Sequence, residues 1–242
     1  MRKVFILLII LSYICTISAP TISNNSHTVV EQTEKILPDK TTLTTLSIYT
    51  YKNNEEVMHA FYSYPQFLYN IKAAAKLNNF YTNKFFVDYK KIQLIGQSAI
   101  NSPLSGNLVY AYDHTFETTY HSNKLISILE NTYEYAGGTH SDNYLEGNTF
   151  SLQTGEVLTL GDLFESSKSE TEQKIKNYII EEINSNAEDY YPDALETISN
   201  YSLDSFNYYL KNETLIIFFN PYEIAPYPRG VVEFSFPITP PR

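Results

Sequence analysis

Cysteine is almost absent: Cys15 is the only one in 242 residues, and tryptophan is missing altogether. Cys15 adjoins an apolar N-terminal run, so a chain that has lost that run has no thiol. Disulfide staples, a cysteine nucleophile and a thiolate zinc site are then excluded, and packing alone must hold the fold. Roughly 220 residues remain, enough for one large core or two small ones. The lack of tryptophan, the usual platform for stacked sugars, weakens a lectin reading. Positive charge is scarce too, with 17 Lys and Arg against 27 Asp and Glu, a formal net charge of −10. Such a surface repels nucleic acid and anionic lipid, and it favours a cationic partner. Nucleic acid is therefore not an expected ligand. There is no G-x-S-x-G, P-loop or G-x-G-x-x-G, so acyl, phosphoryl and hydride transfer lack a starting motif. HxxH and HxxxH spacings are also missing, and neither a metal nor a cofactor is expected.

The N-terminus sets an expectation about compartment. Met1-Arg2-Lys3 is a basic start, Val4 to Ile14 is almost wholly apolar, and Thr16-Ile17-Ser18-Ala19 is small and polar. The run is shorter than the ~20 residues of a spanning helix. This pattern predicts a secretory signal peptide over residues 1–19, with an uncleaved N-terminal anchor as the alternative. The expected location is extracytoplasmic, secreted or attached to the cell envelope, with membrane contact only through a retained N-terminus. Loss of Arg2 and Lys3 would take the formal charge to −12, with 15 basic residues left of 17. Residues 20–40 are polar, lack an apolar period and are expected as a flexible arm.

Aromatic residues, by contrast, are abundant: 22 Tyr and 14 Phe. Tyrosine suits half-buried strands, which accounts for most of them without any binding role. Alternation predicts strands over 42–51 and 57–64, then a long helix with Ala74, Leu77, Tyr81, Phe85 and Ile92 on one face, ending at Gly96. From Asn107 to His121 the alternation is unbroken, with Tyr110, Tyr112, His114 and Phe116 on one face. A tight Ser122-Asn123 reversal leads into Leu125–Tyr135, and Tyr144–Leu152 returns antiparallel. A second helix follows, capped by Ser167 or Ser169, with Ile175, Tyr178, Ile179 and Ile183 as its stripe. Three strands near 205–210, 215–219 and 231–238 close the chain. The expectation is an α+β fold: antiparallel sheets of hairpins with one long helix packed in each of two adjoining modules, 41–145 and 146–239.

Two blocks stand out for chemistry. Tyr133-Glu134-Tyr135-Ala136-Gly137-Gly138-Thr139-His140 runs a strand into a turn that reaches Asp142. Asn220-Pro221-Tyr222-Glu223-Ile224-Ala225-Pro226-Tyr227-Pro228-Arg229-Gly230 joins two strands with three prolines, which makes it a rigid loop. Exposed turns on rigid hairpins are where binding residues collect. The candidate binding residues are Tyr135, Gly137, Gly138, His140, Asp142, Tyr222, Tyr227 and Arg229. Their ordinary reading is structural: glycines for positive φ, His140 and Asp142 capping the turn, Tyr222 and Ile224 packed inward. His114, on the apolar face of its strand, is expected to be a hydrogen-bonded core histidine. Carboxylate pairs among Glu134, Asp142, Glu146, Asp162 and Glu223 match a glycosidase only by count. Asp162 is expected to bond backbone amides ahead of the second helix.

Several motifs in order carry a family resemblance over roughly residues 42–239: Tyr64-Pro65-Gln66, Tyr133 to His140, Phe150-Ser151-Leu152-Gln153-Thr154-Gly155-Glu156, Leu160-Gly161-Asp162-Leu163-Phe164, and Pro221 to Gly230 with Glu233-Phe234. Together they resemble the N-terminal region of the PdaC-type peptidoglycan deacetylases and the lysozyme-binding ectodomain of the anti-sigma-V factor. Thr139 departs from the alanine usual there. The resemblance implies a PdaC-type module followed by a partner domain of unknown function, without the sigma-binding or catalytic domains of those proteins. It implies non-catalytic binding, with a lysozyme-like protein or a peptidoglycan glycan as ligand. The alternative expectation is a cell-wall glycan hydrolase or deacetylase-type enzyme using Glu134, His140 and Asp142.

Overall fold

The computed structural model describes residues 26–36, 41–68, 72–102, 109–164 and 167–237. The expected signal segment and the ends of the expected arm lie outside the described residues. Strands β1 (Ser26–Ile36), β2 (Thr41–Lys52) and β3 (Glu55–Phe67) form an antiparallel meander. Helix α1 (Lys72–Asn101) crosses the sheet, and β4 (Tyr110–His121), β5 (Leu125–Tyr135) and β6 (Asp142–Ser151) complete it. The six strands lie in chain order. β3 and β4 pair in parallel, because the helix between them carries the chain back to the starting edge before β4 begins. Every other pairing is antiparallel.

Three expectations are corrected here. Residues 26–36 are not a flexible arm but an edge strand paired along its whole length to β2. An edge strand needs a partner's main chain more than apolar side chains, so its polar sequence concealed it. α1 does not stop at Gly96 but runs to Asn101. A Cβ at Gly96 would lie 3.2 Å from Thr50 Oγ1, so the glycine lets helix and sheet approach closely. The expected module boundary at 145/146 cuts through β6, which pairs with β5 as far as Ser151.

α1 presses Leu77, Tyr81, Phe85, Tyr89, Ile92 and Ile95 onto the sheet, where Leu46, Ile48, Ala60, Tyr62, Tyr64 and Tyr112 receive them. Truncating one large ring here, such as Phe85, costs about 3–5 kcal/mol by cavity creation. The second core joins α2 (Lys168–Ser185), α3 (Ala194–Asn200) and the sheet of β7 (Asn207–Lys211), β8 (Thr214–Phe219) and β9 (Val232–Pro237). Ile175, Ile179 and Ile183 are buried as expected, but Tyr178 stays at the rim against Phe236. Ser167 is the N-cap of α2, one of the two expected positions, but its side chain makes no capping hydrogen bond. Asp162 does cap backbone, accepting from the Thr159 amide at 2.8 Å at a short helical turn before α2.

The two cores are stitched together. Leu125 of β5 packs within the second core, and the Leu210 amide donates to Ser127 Oγ at 3.0 Å. The result is a mixed α+β molecule whose β5–β6 hairpin serves both halves. Among the described residues no helix is long and apolar enough to cross a membrane.

Candidate functional site

The two blocks singled out in the sequence meet at one end of the β5–β6 hairpin. Gly137 and Gly138 turn the chain with φ of 88° and 115°. A Cβ at Gly137 would sit 2.7 Å from Tyr110 Oη, so glycine is required there for space as well as conformation. Tyr135 Oη donates to the Gly138 carbonyl at 3.3 Å and braces the turn. Asp142 is the cross-strand partner of Glu134.

The proline-rich loop docks through Asn220. Its side chain accepts from the Leu145 amide at 2.7 Å and donates to the Leu145 carbonyl at 3.0 Å, copying the bonding of a neighbouring strand. Glu223 folds back onto the Asn220 amide at 2.6 Å. Burial pushes the Glu223 carboxyl up, against the pull of that amide. Tyr222 adopts φ 72°, a conformation uncommon for a side chain of its size, and it is 52% exposed. Ile224 and Ala225 pack inward from this turn, so the expectation that Tyr222 is packed inward fails.

Rings close the junction. His140 stacks on Tyr227 with centroids 4.5 Å apart, and Tyr222 lies 5.5 Å from Tyr227. The Ser141 carbonyl accepts from Tyr227 Oη at 2.7 Å. It also lies 3.0 Å from His140 Nδ1, which must therefore carry a hydrogen. Nε2 of the neutral ring is then the acceptor for Tyr222 Oη at 3.2 Å. Both ring nitrogens are engaged by neutral partners.

Beneath this rim lies a cleft of about 260 Å³ lined by Lys91, Glu134, Asp142, Tyr144, Asn220 and Tyr222, among others. Lys91 of α1 ion-pairs with Glu134 and sits 5.6 Å and 5.9 Å from the ring centres of Tyr112 and Tyr144. Burial opposes its charge, but the Glu134 hydrogen bond and the neighbouring Tyr144, Glu134 and Asp88 charges together outweigh it and hold the ammonium above its ordinary range. Lys91 escaped the sequence reading because a lysine on a helix is ordinarily solvated. Arg229 does not join the cleft. It pairs with Asp189 at 3.3 Å and lines a separate depression beside Tyr190.

A fully buried carboxylate–imidazole contact forms elsewhere. His114 Nδ1 is 3.0 Å from the Ser63 carbonyl and Nε2 is 3.0 Å from Glu130 Oε2, with both side chains 1% exposed. Nδ1 must donate to the carbonyl, so a proton must also lie between Nε2 and Glu130. Lys84 pairs with Glu130 at 3.2 Å and also with Glu146, while Asn148 donates to Glu130 at 2.9 Å. Tyr62 stacks on His114 at 4.3 Å. His114 is thus a satisfied core histidine, as expected from its strand face. Among the described residues no cluster of three or more His, Cys, Asp or Glu is arranged around a metal position.

Family comparison matches two successive regions of the chain. Residues 51–142 match the family described as deacetylase PdaC, and residues 161–239 match a protein of unknown function family, DUF3298. Each match covers less than half of the chain, which is similar to a PdaC-type protein in one region and to a DUF3298 protein in the next. No curated protein matches it. Among solved structures, a DUF3298 family member from Bacteroides fragilis is 16% identical, with TM-score 0.53, covering 88% of this chain and 91% of its own. A DUF3298 family protein from Pseudomonas aeruginosa is 13% identical, with TM-score 0.54, covering 90% and 98%. At such identities the likeness is one of fold. The cleft falls at the seam, with Glu134 and Asp142 from the PdaC-type region and Tyr222 and Tyr227 from the DUF3298 region.

Proposed function

We propose that this is a non-catalytic binding protein of the cell envelope whose ligand is a basic, lysozyme-like protein, held at the rim of the seam cleft. The observation that carries the reading is Tyr222. It is held in a left-handed turn and left 52% exposed beside the stacked pair of His140 and Tyr227. A rigid, half-exposed aromatic side chain gives contact area at little entropic cost, the property of interface hot spots. The formal charge of −10 favours encounter with a cationic partner. The basic and apolar N-terminal pattern supports an extracytoplasmic location. The non-catalytic part of the reading is supported by the engagement of both His140 nitrogens and by Glu134 being tied to Lys91.

Calorimetric titration of the purified chain with a basic lysozyme tests this. Saturable binding that weakens steeply with added salt is expected. Tyr222→Ala should weaken it by roughly tenfold or more without shifting the melting temperature. Arg229→Ala should change it little, because Arg229 lies off the cleft. Absence of binding, or turnover of muropeptides that vanishes in His140→Ala, would overturn the reading.

A further inference from the structure

Lys84 on α1 and Asn148 on β6 are bridged by two carboxylates. Lys84 Nζ lies 3.2 Å from Glu130 Oε2 and also bonds Glu146 Oε2. Asn148 Nδ2 donates to the other oxygen of each, at 2.9 Å to Glu130 Oε1 and 3.0 Å to Glu146 Oε1. Amine and amide are thus held side by side in the interior, where Asn148 is 7% exposed. A single carboxylate would neutralise Lys84; the second carboxylate and the placed amide go beyond pairing. Tyr81, one turn before Lys84 on α1, adds an independent observation. Its side chain is buried, and its hydroxyl has no hydrogen-bond partner. Burial first, then the charges of Glu130 and Glu146, raise its pKa, so it stays protonated and able to donate. A buried donor without an acceptor is uncommon in a folded protein and calls for an explanation.

We propose that the folded chain joins Lys84 to Asn148 in an internal amide crosslink between α1 and β6, with loss of ammonia. The Lys84 ammonium passes one proton to Glu146, and the free amine attacks Asn148 Cγ. As the new C–N bond forms, the carbonyl electrons move onto Oδ1, and Tyr81 is the free donor for that oxyanion. The proton shared by Glu130 and His114 goes to Nδ2, and the Cγ–Nδ2 bond breaks as the carbonyl re-forms. The second amine proton replaces the one that Glu130 and His114 gave up. Ammonia takes the proton held by Glu146 and leaves past that side chain, which is 44% exposed. One amine and one primary amide give one secondary amide and ammonia, and nothing else is consumed. Attack needs Nζ to close to roughly 3–3.5 Å from the amide carbon, and such positioning is equivalent to about 10⁵–10⁸ M of reactant. Burial opposes the Lys84 charge, but Glu130 and Glu146 outweigh it and hold the ammonium above its ordinary range. Free amine is therefore scarce and conversion slow, which suffices for a bond made once in the life of a molecule. The crosslink ties the helix to the last strand of its sheet in a chain whose one cysteine, Cys15, rules out an internal disulfide.

Intact mass spectrometry of the purified full chain, followed over days at neutral and mildly alkaline pH, tests the proposal. The mass should fall by one ammonia, faster at the higher pH, where more of the amine is free. Tryptic mapping should then yield a branched peptide joining the Lys84 and Asn148 segments, with no cleavage after Lys84. Lys84→Arg keeps the ion pairs but removes the primary amine; it should fold, by circular dichroism, and hold its full mass. Tyr81→Phe keeps the ring and should slow conversion by about 10²-fold. The proposal fails if the folded chain keeps its full mass throughout. It also fails if ammonia is lost without the branched peptide, as in cyclisation of Asn148 onto its own main chain, if Lys84→Arg loses ammonia equally, or if Tyr81→Phe reacts at the parent rate.

Discussion

Two histidines, His114 and His140, sit at opposite ends of a scale of burial. His114 is 1% exposed and locked between a main-chain carbonyl, a carboxylate and a stacked tyrosine ring. His140 is exposed, and all its partners are neutral groups of a loop and a turn. The difference shows what each region contributes. Charges under α1 fix the packing of the sheet, since an unpaired charge there would be costly. The exposed rim of the seam, held by neutral partners, carries no such cost.

The largest effect expected from breaking this contrast comes from Glu130→Ala, which leaves His114 and Lys84 facing each other without their shared carboxylate. The loss should be about 3–5 kcal/mol in urea unfolding. A loss under ~1 kcal/mol would mean that the cluster does not hold the sheet. The same carboxylate gives a pH dependence. Burial raises its pKa, but His114, Lys84 and Asn148 together outweigh burial and lower it below the ordinary 4.5. Its contribution is therefore complete above about pH 4.5 and is lost as the pH falls through the lower folded value. Glu130→Gln should flatten that acid limb of the stability profile.

An intermediate effect is expected at Asn220, where alanine removes both bonds to Leu145 and strands two edge groups. About 1–3 kcal/mol should be lost in urea unfolding, with the proline-rich loop exchanging its amides faster. The smallest effect belongs to His140→Ala, which should stay within about 1 kcal/mol of the parent protein. A larger loss by thermal unfolding would place the His140–Tyr227 stack among the elements that hold the two regions together.

Much of this was legible in the chain itself. Alternation placed Tyr110, Tyr112 and His114 on the inner face, and the glycines and prolines marked the two segments that meet at the seam. The His114–Glu130 contact was hidden by one residue of register. A two-residue reversal at Ser122-Asn123 sets Glu130 opposite Thr115, on the outer face. The actual four-residue loop, with a bulge between Thr118 and Tyr120, sets it opposite Phe116 and hence inward, diagonal to His114. The approach of Lys84 to Asn148 was equally opaque, because it depends on where a thirty-residue helix lies across strands that come later in the chain.

The borders of the large sheet are unlike each other. At β6 the chain seals its own hem. Leu158 donates to Thr149 at 2.8 Å, Ser151 donates to Glu156 at 3.0 Å, and Asn220 occupies both main-chain groups of Leu145. At β1, within the described residues, the outward-facing amides and carbonyls have no further strand beside them. A template open on one side only cannot propagate. Should two molecules ever zip together along β1, each would spend the vacant border of this sheet on the other, and the large sheet would stop at a pair instead of running on into a fibre.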